Sequence, residues 1–106
     1  MTWAVRLTDK AVADIAQAQD WYERQRVGLG GQFVGEVDKV LESLAENPLI
    51  YRKVMDLLRA AHARRFPYSV YFRVEGRGSV VVACLHQHRS PRVAHARRKL
   101  PGPSPQ

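Results

Sequence analysis

The sequence predicts an α+β fold in two layers. An N-terminal strand and a helical hairpin pack on a mostly antiparallel four-stranded sheet, and a short C-terminal helix follows. Three observations carry that expectation. Stretches 9–26 and 32–46 repeat apolar residues at helical spacing on either side of a glycine cluster. Residues 68–75 alternate apolar and polar side chains with period two. Residues 79–87 hold a continuous apolar run behind a glycine-bearing turn, as a strand covered on both faces does.

The elements follow in order. Trp3, Val5 and Leu7 share one face of a short strand. Thr8 offers an N-cap hydroxyl, and Asp9 stands in the first turn, where the helix dipole favours a negative charge. Ala11, Ile15, Ala18 and Tyr22 form the apolar stripe of the first helix, with Asp14, Asp20, Glu23 and Arg24 on its solvated side. Gly28, Gly30 and Gly31 break it. Gln32 opens a second helix whose stripe is Phe33, Val37, Val40, Leu41 and Leu44, and Asn47-Pro48 stops it, since a residue before proline avoids helical torsions. Residues 49–55 read as loop or a short extended piece. Strands are expected at 57–65, 68–75 and 79–87, with Pro67 at the entrance to the second because it has no N–H to give a ladder. On that strand Tyr68, Val70, Phe72 and Val74 face the helices, while Ser69, Tyr71, Arg73 and Glu75 face a partly open side. Ser90-Pro91 can cap and start the last helix. Residues 1–100 thus form one domain, and 101–106, with three prolines, a disordered tail.

Charge is unevenly placed. Residues 1–50 carry five Lys/Arg against eight Asp/Glu, a net of −3, and residues 51–106 carry twelve against two, a net of +10. Such asymmetry suits a polyanionic partner: nucleic acid, a nucleoprotein or an acidic protein segment. The single cysteine, Cys84, cannot form an internal disulfide and reads as a small apolar residue, which fits a reducing cytoplasm. No apolar run approaches the roughly 20 residues of a membrane span, and no secretory leader pattern opens the chain.

The chemistry is cationic and aromatic. His86 and His88 without nearby cysteines or carboxylates make a poor zinc site, and Gly28-Leu29-Gly30-Gly31 lacks the Lys-Ser/Thr of a phosphate loop, so neither metal nor cofactor is expected. Arg59, Arg65, Tyr68, Tyr71, Arg73, His86, His88, Arg89, Arg97 and Arg98 are candidates to converge on the open sheet face and its end. Histidine and arginine can supply the base, acid and phosphorane-stabilising charge of metal-free RNA cleavage, and tyrosine can stack on a base. The same set would equally clamp an acidic protein segment.

Over residues 5–97 the chain resembles the RelE/ParE superfamily of bacterial type II toxin–antitoxin toxins. The likeness is carried by Ala11 with Asp14-Ile15, Trp21-Tyr22-Glu23, Gly28-Leu29-Gly30 with Phe33, and Asn47-Pro48 with Tyr51. It continues through Arg59, Arg65-Phe66-Pro67-Tyr68 with Tyr71, then His86, Arg89, Pro91 and Arg97. The resemblance implies a small cytoplasmic toxin held in a hetero-oligomer by its cognate antitoxin, which would lay an amphipathic, acidic helical segment on the sheet or the hairpin. RelE-like members cleave mRNA on the ribosome, and ParE-like members poison DNA gyrase without known hydrolytic residues. This chain has no tyrosine after Tyr71. Ala94 stands where close relatives carry an aromatic, Ser90 where they often carry Asp, and Ser69 about where ribonuclease members place a sheet arginine. Those departures favour a ParE-like gyrase-binding toxin. The alternatives are a ribosome-dependent endoribonuclease with His86 and Arg89 as catalytic residues, or a non-toxic relative that still binds antitoxin. In the first reading Arg59, Arg65, Tyr68, Tyr71, Arg73, His88, Arg97 and Arg98 are contacts for target or antitoxin.

Overall fold

The computed structural model describes residues 2–89 and 91–103. The expected Ser90 cap and residues 104–106 of the expected tail lie outside these. The described elements are β1 (Ala4–Leu7), α1 (Asp9–Gln25), α2 (Leu29–Glu46), a 3-10 turn (Pro48–Ile50), β2 (Lys53–Met55), β3 (Leu58–His62), β4 (Tyr68–Glu75), β5 (Gly78–His86) and α3 (Pro91–Ala96). The sheet has five strands in the order β1-β5-β4-β3-β2. β1 runs parallel to β5, and the other pairs are antiparallel.

The fifth strand corrects the expected four. Residues 53–55 pair with β3 across a turn in which Asp56 takes φ 49°. Three residues are too few to show a period of two, which is why the sequence leaves this stretch open. The strand expected over 57–65 is shorter for a local reason. Arg65 takes φ 71° and Phe66 turns into the core, 7% exposed.

Capping sets the helices. The Thr8 hydroxyl accepts from Ala11 N at 3.2 Å and donates to Val81 O at 3.0 Å, so one side chain starts α1 and ties it to β5. α2 starts at Leu29, not Gln32. Gly28, at φ 91°, is its N-cap and has no side chain to offer. The Glu23 carboxylate of α1 substitutes, accepting from Gly28 N at 2.9 Å and Gly30 N at 3.0 Å. A Cβ on Gly30 would stand 2.6 Å from Gln19 O, so the two helices meet where only glycine fits.

The sheet is covered on both faces. Phe33, Val37 and Leu44 of α2 pack with Val70, Phe72, Val81 and Cys84 on the hairpin side. Burial of each large side chain there contributes on the order of 1.5–3 kcal/mol. On the other face Tyr71, Val80, Val82 and Leu85 pack with Ala94 of α3, flanked by Val93 and Leu100. That face is therefore less open than expected. The split follows from a bulge: Tyr71 pairs with Ala83 but Phe72 with Val81, leaving Val82 as the extra residue. Val82 and Ala83 consequently both join the second cluster, while Val81 and Cys84 face the helices.

Candidate functional site

β1 ends at Leu7, opposite Val81, while β5 continues to His86, so among the described residues Val82 to His86, more than half of β5, have no strand on that side. Its backbone groups need other partners. Asp14 of α1 provides one, its Oδ2 accepting from Cys84 N at 3.0 Å. Arg97 provides the other, its Nη1 donating to Asp14 Oδ2 at 2.7 Å and to Val82 O at 3.4 Å. Asp14 was expected on the solvated side of α1, yet its side chain is only 11% exposed. Its place three residues after Ala11 and four before Ala18, on the buried stripe, is the signal that reveals its role.

Above this bridge lies a cleft of about 510 Å³ between α1 and the end of β5. Asp14, Trp21, Tyr22, Tyr68, His86 and Arg89 are among its walls. Tyr68 packs edge-on at 5.1 Å from the Phe33 ring and 5.4 Å from the His86 ring. His88 stacks edge-on against His86 at 4.9 Å, and its backbone N–H donates to His86 Nδ1 at 3.1 Å. That bond makes Nδ1 an acceptor, so a neutral His86 carries its proton on Nε2. Burial pushes the Tyr68 phenol above its ordinary range, the Cys84 thiol and Asp14 add to the shift, and the Arg89 guanidinium opposes it. Burial, then the Asp14 charge, push the Cys84 thiol up to about 12, which makes it a packing group rather than a nucleophile at neutral pH. Trp21, 56% exposed, stands at the rim.

Most of the other candidates point elsewhere. Arg59 pairs in register with Phe72, on the hairpin side, and donates to Tyr51 O. Arg65 reaches Gln32 Oε1 at 3.4 Å beside α2. Tyr71 is 6% exposed inside the second cluster. Arg73 donates to Arg98 O at 3.0 Å and Leu100 O at 2.6 Å and pairs with Glu75 at 3.0 Å, pinning the segment after α3. Arg98 donates to His95 O at 2.9 Å, and its Nε lies 3.5 Å from Asp56. The ten side chains expected to converge do not share one surface. Tyr68, His86 and Arg89 line one cleft with His88 beside them, and Arg97 lies below it.

A second concave surface runs along the hairpin. Leu7, Val12, Ile15, Val34, Val37 and Leu41 line a groove of about 280 Å³. A neighbouring hollow of about 370 Å³ shares Asp38 and Leu41 with it and adds Trp3, Val5 and Glu42. It borders β1, whose outer edge has no strand beside it among the described residues. Among the described residues no group of three or more His, Cys, Asp or Glu side chains is placed to hold a metal ion. None of the described helices is long and apolar enough to cross a membrane.

The family model for the ParE toxin of the type II toxin–antitoxin system parDE matches residues 5–91. None of the curated proteins compared with the chain matches it. Among solved structures, the chain is similar to one from the chromosomal ParDE TA system of P. aeruginosa, at 19% identity and a TM-score of 0.71. That match covers 79% of this chain and 95% of the other, and at such identity it bears on the fold alone.

Proposed function

The chain belongs to the ParE toxin family of type II toxin–antitoxin systems, and from that membership we propose that it arrests growth by binding DNA gyrase and is neutralised by a cognate antitoxin. The observation that carries a binding mode over a cleaving one is the fate of the arginines. Arg59, Arg73 and Arg98 donate to backbone carbonyls of their own chain, and Arg97 is held by Asp14. A phosphorane intermediate needs cations aimed at one point, and these four are committed to separate structural bonds.

The antitoxin has a suitable seat in the hairpin groove. An amphipathic segment would place its apolar side against Val12, Ile15, Val34 and Leu41. The +10 second half would speed the approach of an acidic partner, and that acceleration would fade with added salt. Of the expected contact residues, Arg65, His88 and Arg89 are exposed and suit a partner's acidic groups.

One observation favours the ribonuclease alternative. Tyr68, His86 and Arg89 do line a single cleft, with a histidine and a cation in reach of one ligand. The two readings separate in one pair of assays on the purified protein. Gyrase binding predicts a concentration-dependent block of supercoiling and no cutting of mRNA on ribosomes. Cutting at the ribosome with supercoiling untouched would reverse the assignment.

A further inference from the structure

We propose that the free edge of β2, at the opposite side of the sheet from β1, is the surface that engages the target protein, and that it takes an extended, acidic segment bearing aliphatic side chains. The proposal rests on the gyrase-binding reading above and adds where the target docks and what it presents. Four of the seven large apolar side chains exposed among the described residues fall in nine consecutive positions: Leu49 at 49%, Ile50 at 67%, Val54 at 44% and Leu57 at 48%. These positions lead into, form and leave β2. Among the described residues no strand lies beyond β2 in the sheet order, so its outer edge is a template for strand addition. Exposed apolar groups gathered beside such an edge mark an interaction site rather than chance surface.

Charge selects the occupant. Arg52 and Lys53 are exposed within the same stretch. The one carboxylate within residues 49–57, Asp56, already faces His95 and Arg98 at 3.5 Å each. The uncompensated charge at this edge is positive. A second copy of this chain pairing here in antiparallel fashion would bring like charges together, which disfavours self-association. An acidic segment meets both the cations and the apolar row. The hairpin groove, on the β1 side, is mostly apolar and takes the apolar side of the antitoxin segment. The two partners would thus approach different edges of one sheet.

The test uses the purified full chain in a gyrase supercoiling assay. Val54→Asp with Leu57→Asp breaks the apolar row at its two members on and after β2, and Arg52→Glu with Lys53→Glu reverses the charge on solvated side chains, which keeps the test open should the first variant not fold. Val27→Asp, at a 90% exposed position between the helices, serves as control. The expected result is that the control matches the unmodified chain while each β2 variant needs roughly tenfold more protein for the same block. Unmodified protein that leaves supercoiling untouched would overturn the gyrase reading and this proposal with it. Unmodified protein that blocks, with both folded variants blocking equally well, would overturn the proposal alone. Loss in the aspartate variant without loss on charge reversal would overturn the acidic character of the partner. Self-association abolished by the β2 substitutions would assign the edge to a second copy.

Discussion

The Asp14 carboxylate and the Arg97 guanidinium meet at 2.7 Å across the uncovered edge of β5, joining the first helix to the segment that follows the last. The same Asp14 oxygen holds Cys84 N, and the same Arg97 nitrogen reaches Val82 O. One ion pair therefore takes up two backbone groups of the sheet edge that β1 leaves uncovered, and its Asp14 is part of the cleft wall. Both side chains are mostly buried, at 11% and 18% exposure. Asp14→Ala should destabilise the fold by about 2–4 kcal/mol, since it strands both a buried guanidinium and a strand N–H. Urea unfolding of the single and double variants with Arg97→Ala should give a coupling of about 1–3 kcal/mol.

Gly30→Ala should cost about 1–3 kcal/mol, because its methyl would press on Gln19 O, which is backbone and cannot swing away. Gly31→Ala, where a Cβ meets nothing within 4 Å, should be neutral or slightly stabilising. Thermal melts of the two variants side by side test the close approach of α1 and α2.

Glu23→Ala should destabilise by roughly 1–2 kcal/mol, since it removes the acceptor for Gly28 N and Gly30 N at the start of α2. Glu23→Gln keeps one amide oxygen as acceptor and should cost less. Hydrogen exchange at Gly28 and Gly30 should quicken in both variants, and more in the alanine one.

Alkaline pH should weaken the fold in a defined window. The Cys84 thiol rises from 9.0 to about 12 on folding, chiefly through burial. Below pH 9 both states keep the proton and the stability is fully present. Above it the unfolded chain releases a proton that the folded chain retains, so stability falls until the pH passes the folded value. Tyr22, Tyr68 and Tyr71 are raised by burial as well and act with the same sign. The Cys84→Ala variant should show a shallower decline of unfolding free energy above pH 9. In the native protein a thiol reagent should label Cys84 at pH 8 only after denaturant is added.

Much of this architecture is legible in the sequence. The apolar stripes of α1 and α2, the alternation along Tyr68–Glu75 and the Thr8 cap all stand as their spacing implies. The cleft is only partly legible. Tyr68, His86 and Arg89 could be singled out by type, but their company depends on the Val82 bulge and on where β1 stops, and neither leaves a local pattern. Arg59, Arg73 and Arg97 look alike in a linear reading. Only tertiary structure reveals that backbone carbonyls and Asp14 hold them. Glu23 is exposed, as its place on the solvated side implies, but its capping role is not legible, since the N–H groups it holds belong to Gly28 and Gly30 at the start of the next helix.

Gyrase binding, as proposed for this chain, has a direct readout in the cell. Pulse labelling of bacteria after induction of the chain without antitoxin tests it most directly, with thymidine and amino-acid incorporation followed in parallel. Under gyrase binding DNA synthesis falls first, with a DNA-damage response, and His86→Ala and Arg89→Ala each leave most of the arrest in place. Collapse of protein synthesis within minutes while thymidine incorporation continues, abolished by either substitution, would contradict it and make the Tyr68–His86–Arg89 cleft an active site.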